Sequence, residues 1–315
     1  MCSNRDLLRQ IAGEFEVGDF TDFALLEEGN AETFQLFTSR GQYFVKPAPD
    51  AEVIALYKTV EERLNANGVR QARLYSKPDG EFISSSGCAV FEFLHGQVPR
   101  SFSDKRLKSL ILYLAKYNEA LSHIPIPSFV TNCGNPWKKA DSLAYLLAHV
   151  SGDIAAIGLD EYIKDTAEEI LNFLATSRAD LERAPHQLLH GDVGPGNVIY
   201  NGEDVVSIVD FTPHCGPELY ALCHLFYWHF LFPNDGTLDC DDIEKTLRLY
   251  IDSRQIRDFS PTLFHALFVK ATAFRLFGPL ISLAESPHTY SKEALARRAH
   301  LARSVLRNQA IPTIL

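Results

Sequence analysis

Apolar residues recur along this chain in two rhythms, and one gives way to the other after the first third. Over residues 5–15, Leu7, Leu8 and Ile11 share one face at helical spacing, which predicts a short amphipathic helix. Residues 23–26, 33–38 and 42–46 have strand character and are separated by Glu28-Gly29-Asn30 and Ser39-Arg40-Gly41. Val53, Ile54, Tyr57, Val60 and Leu64 then stripe a helix over 51–65, closed by Gly68. Residues 73–76 and 82–84 bracket the turn Pro78-Asp79-Gly80. Residues 88–94, rich in aromatic and β-branched side chains, form a further strand ending at His95-Gly96.

Beyond Gly96 the helical period dominates. Leu107, Leu110, Ile111, Leu114 and Leu121 predict a helix over 105–124, started by Ser103-Asp104 and stopped by Pro125 and Pro127. Further helices are expected over 137–150, 159–176, 218–232, 263–284 and 292–308, with residues 212–217, rich in Pro and Gly, read as turns. The stretch 263–284 is long and apolar, but His265, Lys270 and Arg275 interrupt it, so it reads as a buried helix rather than a membrane span. No repeat and no low-complexity segment is present. The fold class that follows is α+β: an N-terminal antiparallel sheet lobe over residues 1–95 and a larger, mainly helical lobe over 96–315.

One stretch of the second part departs from the helical period. Residues 188–211, LLHGDVGPGNVIYNGEDVVSIVDF, hold an apolar lead-in, an acidic loop and two apolar runs joined at Asn201-Gly202. Asn-Gly between apolar runs predicts a hairpin of strands 197–200 and 205–211, with Val198 roughly opposite Val205. Such a hairpin carries Asp210 back toward the loop of Asp192 and Asn197. Two carboxylates and an amide oxygen suit Mg²⁺, a hard cation that takes oxygen ligands and keeps positions for phosphate. One carboxylate is left to accept a hydroxyl proton.

The string His190-Gly191-Asp192, Pro195-Gly196-Asn197 and Val209-Asp210-Phe211 resembles the catalytic and metal loops of eukaryotic-like kinases. With Gly after the His, it is closest in form to the aminoglycoside phosphotransferase, choline kinase and type II homoserine kinase superfamily. The resemblance implies a bilobal, protein-kinase-like fold that uses ATP and Mg²⁺ to phosphorylate a hydroxyl of a small molecule. It makes Asp192 the catalytic base and Asn197 and Asp210 the metal ligands. It also makes Lys46, at the end of the strand Tyr43-Phe44-Val45-Lys46, the lysine on the nucleotide phosphates. The turn at Gly29 would cover those phosphates, and a glutamate of helix 51–65 would aim the lysine. Glu52 is the first choice for that glutamate, ahead of Glu61 and Glu62. The adenine would be read by backbone groups near Glu92 and Leu94, at a hinge over 92–97. Members of these families commonly carry an aspartate soon after the metal loop; this chain has Tyr220-Ala221-Leu222, with Glu218 as a candidate substitute.

Composition narrows the partners. A net charge of −10, from 30 Lys and Arg against 40 Asp and Glu, disfavours nucleic acid and leans slightly toward a cationic acceptor. Tyr220, Tyr227 and Trp228 offer faces for a cationic head group. The six cysteines form no CxxC pair, and the charged start lacks an apolar leader, so a reducing cytoplasm is the expected location. His214, His224 and His229 are spaced as core or cleft histidines rather than metal ligands. The acceptor remains open between an amino alcohol, a hydroxy amino acid, an aminoglycoside and a sugar. A kinase-like module that binds ATP without turnover is the alternative from another class.

Overall fold

Alternating side chains in the first hundred residues bury one face of a sheet, as a pleated strand requires. Strands β1 (Phe20–Leu26), β2 (Thr33–Thr38), β3 (Gly41–Pro47) and β4 (Cys88–Glu92) pair antiparallel in sequence order. Phe34 and Leu36, Tyr43 and Val45, and Cys88 and Val90 face Leu8, Ile11 and Ala12 of helix α1 (Asn4–Glu14). Lys46 and Phe44 therefore occupy the other face, opposite Ala89 and Phe91 in register. Helix α2 (Ala51–Ala66) buries Ile54, Leu56, Tyr57, Val60, Glu61 and Leu64, and Tyr57 meets Phe91 edge to face at 5.1 Å.

The structure, a computed structural model, describes residues 4–26, 32–133, 137–149, 160–285 and 290–313. It divides into two units, Met1–Val98 with Val198–Phe211, and Pro99–Asn197 with Thr212–Leu315. The hairpin thus groups with the sheet, although it lies within the stretch 96–315 by sequence. Two backbone bonds tie it there: Gln97 N–H donates to Tyr200 O at 2.8 Å, and Tyr200 N–H to Gln97 O at 2.9 Å.

The hairpin itself corrects the expected register. Strands β6 (Val198–Asn201) and β7 (Asp204–Ile208) set Val198 opposite Ile208, not Val205. The turn is centred on Gly202 and Glu203 rather than on Asn201-Gly202. Gly202 alone takes positive φ there, 64°, and an irregularity at Ile199/Tyr200 shifts the pairing.

Gly96 is required where the chain crosses this hairpin. A Cβ there would stand 2.4 Å from Ile199 Cγ2 and 2.6 Å from Tyr200 O. Gly96→Ala is expected to cost about 1–3 kcal/mol through overpacking, read as a lower urea midpoint with an unchanged m-value.

The second unit is helical around one buried rod. Helices α3 (Asp104–Ser122), α4 (Ser128–Cys133), α5 (Lys138–His149), α6 (Glu161–Arg183), α7 (Leu219–Phe226), α8 (Cys240–Arg254), α9 (Pro261–Glu285) and α10 (Lys292–Leu306) follow in order. Ser103 and Asp160 cap α3 and α6 by accepting the backbone N–H of Arg106 and Tyr162. Helix α9 is long and apolar enough to cross a membrane by composition, yet 72% of its apolar window is buried inside the protein. Phe264, Leu267, Phe268, Val269, Leu276 and Phe277 are fully buried along it. The Pro- and Gly-rich residues after Phe211, expected to be turns, form a strand instead. Here β8 (Pro213–Pro217) pairs with β5 (His186–His190), Leu188 opposite Cys215.

Candidate active site

Strand β5 delivers the acidic loop. His190, at its end, is fully buried and accepts the Asp192 backbone N–H on Nδ1 at 3.1 Å, while Gly191 N–H donates to Thr212 O at 2.8 Å. A short 3₁₀ turn, Pro195–Asn197, then folds Asn197 back on the loop. Its amide nitrogen donates to the Asp192 carbonyl at 2.8 Å and to Asp192 Oδ2 at 3.3 Å. With the nitrogen so committed, the Asn197 Oδ1 atom is the end presented as a donor to a cation. Asp192 itself is half exposed, and its Oδ1 lies 3.4 Å from the Arg275 guanidinium. The loop is close-packed from outside: a Cβ on Gly194 would fall 2.7 Å from the Trp228 ring.

In the first unit, Lys46 Nζ meets Asp210 Oδ1 at 2.5 Å. Asp210 holds φ at 56°, the left-handed region that costs most residues energy and that Asp and Asn enter more readily than others. A strained, charged residue paired to a lysine at the end of a central strand is the kind of outlier from which function is inferred. The Asp210 carboxylate and the Asn197 amide oxygen are both hard oxygen donors, which fits Mg²⁺ in chemical type.

The other expected residues divide. Glu52 does not pair with Lys46; it is exposed on the first turn of α2, and the ion pair of Lys46 is with Asp210. The buried stripe of α2 carries Glu61 instead, which accepts the Leu74 N–H at 3.0 Å and sits 2.9 Å from Lys58, while Glu62 lies 3.6 Å from Lys58. Gly29 lies outside the described residues. Glu92 has its N–H on Arg73 O at 2.8 Å and its carboxylate on Arg70. Leu94 is buried, and among the described residues its backbone N–H and C=O make no hydrogen bond.

After Phe211 the expected aromatic helix is α-helical only to Phe226. Tyr227–Leu231 continue as a π-helical turn, a form concentrated at functional sites. That turn brings Tyr227 and Trp228, packed edge to face at 5.1 Å, against Arg275, both ring centroids 4.6 Å from the guanidinium carbon. Tyr220 likewise stands 5.2 Å from Lys270 Nζ. The aromatic faces expected to receive a cationic head group are thus engaged by the protein's own cations.

His214 stacks on Tyr220 at 4.7 Å, and burial together with the Lys270 charge pushes it down to about 3. His224 receives the Arg275 guanidinium on Nδ1 at 3.1 Å, and burial and that charge hold it well below the usual imidazole range. Both rings are neutral at physiological pH. Glu218 is bound by Arg254, at 2.5 Å and 3.1 Å, and by the Tyr250 hydroxyl at 2.6 Å, so its carboxylate is already engaged in that network. Arg275 and Lys270 were missed as site residues by the sequence reading. Their signal was present: two cations on a long, apolar helix, where burying a charge is expensive without a purpose.

Comparison with known proteins adds to this geometry. A model of the phosphotransferase enzyme family (APH) matches residues 22–230. The chain is 30% identical over 277 residues to a homoserine kinase of Parvibaculum lavamentivorans, covering 82% of this chain and 79% of that one. Among solved structures it superimposes on amicoumacin kinase hAmiN in complex with AMP-PNP, Ca²⁺ and Ami, with a TM-score of 0.65 at 12% identity, covering 99% of this chain and 96% of that one. It also superimposes on aminoglycoside 2'-phosphotransferase-IIIa in its GDP complex, TM-score 0.63 at 17% identity, covering 96% and 99%. These likenesses establish the kinase-like α+β fold.

Proposed function

Since the chain belongs to the phosphotransferase enzyme family, we propose that it transfers the terminal phosphoryl group of ATP to a hydroxyl of a small molecule. The observation that carries this reading is the Asp192–Asn197 arrangement. A half-exposed carboxylate is fixed by its own backbone N–H on His190 and by the Asn197 amide, with a carboxylate edge left to meet an acceptor. In this reading Asp192 orients the acceptor hydroxyl and takes its proton as the phosphoryl group moves. Lys46 neutralises phosphate oxygens of the nucleotide, and the free N–H and C=O of Leu94 read the adenine edge, with Gly29 in the loop over the phosphates. Asn197 and Asp210 are assigned to Mg²⁺, which when bound supplies positive charge against the phosphates. Little covalent chemistry is asked of the protein; holding the reactants in line supplies most of the effect.

The relatives named homoserine kinase and the aminoglycoside and amicoumacin kinases of the same fold support a small acceptor, without choosing among them. The test is ADP release from ATP and Mg²⁺ with pooled hydroxy amino acids, amino alcohols, aminoglycosides and sugars. Acceptor-dependent release, abolished by chelation of Mg²⁺, is expected, and splitting the pool names the acceptor. A protein that fails to bind ATP in the presence of Mg²⁺ contradicts the proposal.

A further inference from the structure

Building on the phosphotransferase reading of Asp192, we propose that the acceptor is a small alcohol that also carries a carboxylate, held by a cationic wall of Lys139, Lys270 and Arg275. All three belong to the same helical unit as Asp192. Contacts run unbroken from the proposed base. Arg275 reaches Asp192 Oδ1 and His224 Nδ1; His224 meets Tyr220 at 4.8 Å; Lys270 Nζ sits 5.2 Å from Tyr220 and 4.7 Å from Trp137. Lys139 lies against Gly278, one helical turn beyond Arg275, with its Nζ 3.6 Å from where a Cβ would stand.

Lys270 is the decisive member. It is 3% exposed, and among the described residues its ammonium has no carboxylate within ion-pair distance and no hydrogen bond. Aromatic faces surround it, those of Trp137, Tyr220 and Phe274. Burial pushes it down to about 8, and burial with the Arg275 charge also lowers Lys139. Arg275 has a buried Nε without a hydrogen-bond partner, and so has His214 at Nε2. Arg275 pairs with Asp192, but the wall still offers unused donors and, at Lys270, positive charge with no ion pair among the described residues, in a protein whose net charge is −10. Buried charges persist where a counter-ion is supplied. An acceptor carboxylate would supply it, meeting Lys270 while its hydroxyl faces Asp192. A polycationic acceptor would meet repulsion from all three, with the aromatic faces already taken.

The experiment compares homoserine, serine and threonine, each against its decarboxylated amino alcohol, with an aminoglycoside as the cationic control. Transfer from ATP and Mg²⁺ to at least one carboxylated member, at least tenfold better in kcat/KM than to its partner, is expected. Lys270→Met, which refills the aromatic cage without the charge, is expected to raise the acceptor KM about ten- to a hundredfold. The KM for ATP stays unchanged, and the melting temperature stays at or above wild type because an uncompensated buried charge is removed.

The wild-type kcat/KM for the acceptor should also fall as pH rises through about 8, where Lys270 loses its proton, and the fall should be absent in the variant. The titratable groups facing Lys270 are Cys215, Glu182, His214 and Tyr220; of these, His214 is neutral across that range and burial raises Cys215 and Tyr220. Transfer that favours the decarboxylated alcohol or the aminoglycoside, or an unchanged acceptor KM in Lys270→Met, overturns the carboxylate assignment and leaves the kinase reading standing. Absence of ATP binding brings down the kinase reading and this inference with it. The matched-pair comparison needs no variant, so it decides even if Lys270→Met fails to fold.

Discussion

Asp192→Asn is expected to lower kcat by about 10²- to 10⁴-fold, the range removed with a general base, while the KM for ATP changes little. The substitution is nearly isosteric. One oxygen remains to meet Arg275 at the position of Oδ1, and the backbone N–H stays on His190 Nδ1. What disappears is the capacity to accept a proton from the acceptor hydroxyl. Because the side chain is half exposed, folding stability should move by less than about 1 kcal/mol, so melting curves and rates report different things. Asp192→Glu provides the geometric control. It restores the carboxylate but lengthens the arm past its fixed contact with Asn197, and should recover only part of the loss. Single-turnover ADP formation at saturating acceptor, together with thermal melts of all three proteins, is the measurement. Activity of Asp192→Asn within tenfold of wild type would remove Asp192 from the chemistry.

Much of this could be read from sequence because its causes are local. Alternation placed the four strands of the sheet, and the stripe in 51–65 placed α2, since both periods are set by backbone geometry. The motif around Asp192 marked the acidic loop, because its residue types at that spacing are rare together. What failed depended on distant partners. The hairpin register was misjudged because Gly202-Glu203 makes the turn and an irregularity at Ile199/Tyr200 absorbs a residue. Strand β8 was taken for turns because Pro213, Gly216 and Pro217 are turn formers; pairing with β5 overrides that preference. Glu52 was chosen by its place in the helix, but burial of the stripe turns Glu61 inward and leaves Glu52 in solvent. Arg275 and Lys270 lie about eighty residues from the motif, and no local pattern ties them to it. The acidic net charge pointed toward a cationic acceptor, whereas the charges around Asp192 point the other way: a total says nothing about where charges gather.

Asp210→Asn is the second large effect expected: kcat/KM for ATP should fall by about 10²- to 10³-fold, the scale of losing one preorganised electrostatic group, with little change in stability. The backbone argument makes this variant informative. Asp210 sits at φ 56°, a conformation Asn adopts about as readily as Asp, so the loop keeps its path. The charge alone is removed, and with it the 2.5 Å pair to Lys46, in which Asp210 is 60% exposed and therefore contributes less than about 1 kcal/mol to folding. Asp210→Ala removes the charge and adds the cost of a left-handed alanine, about 1–2 kcal/mol, so it should lose activity and melting temperature together. Titrating Mg²⁺ separates the assigned role from a structural one. If the carboxylate holds the cation, the Asn variant requires more Mg²⁺ for half-maximal ADP release, and high Mg²⁺ partly restores the rate. If the Lys46 pair serves only to brace the loop, the same variant loses melting temperature while its Mg²⁺ requirement stays that of wild type. That result would take Asp210 out of the metal site.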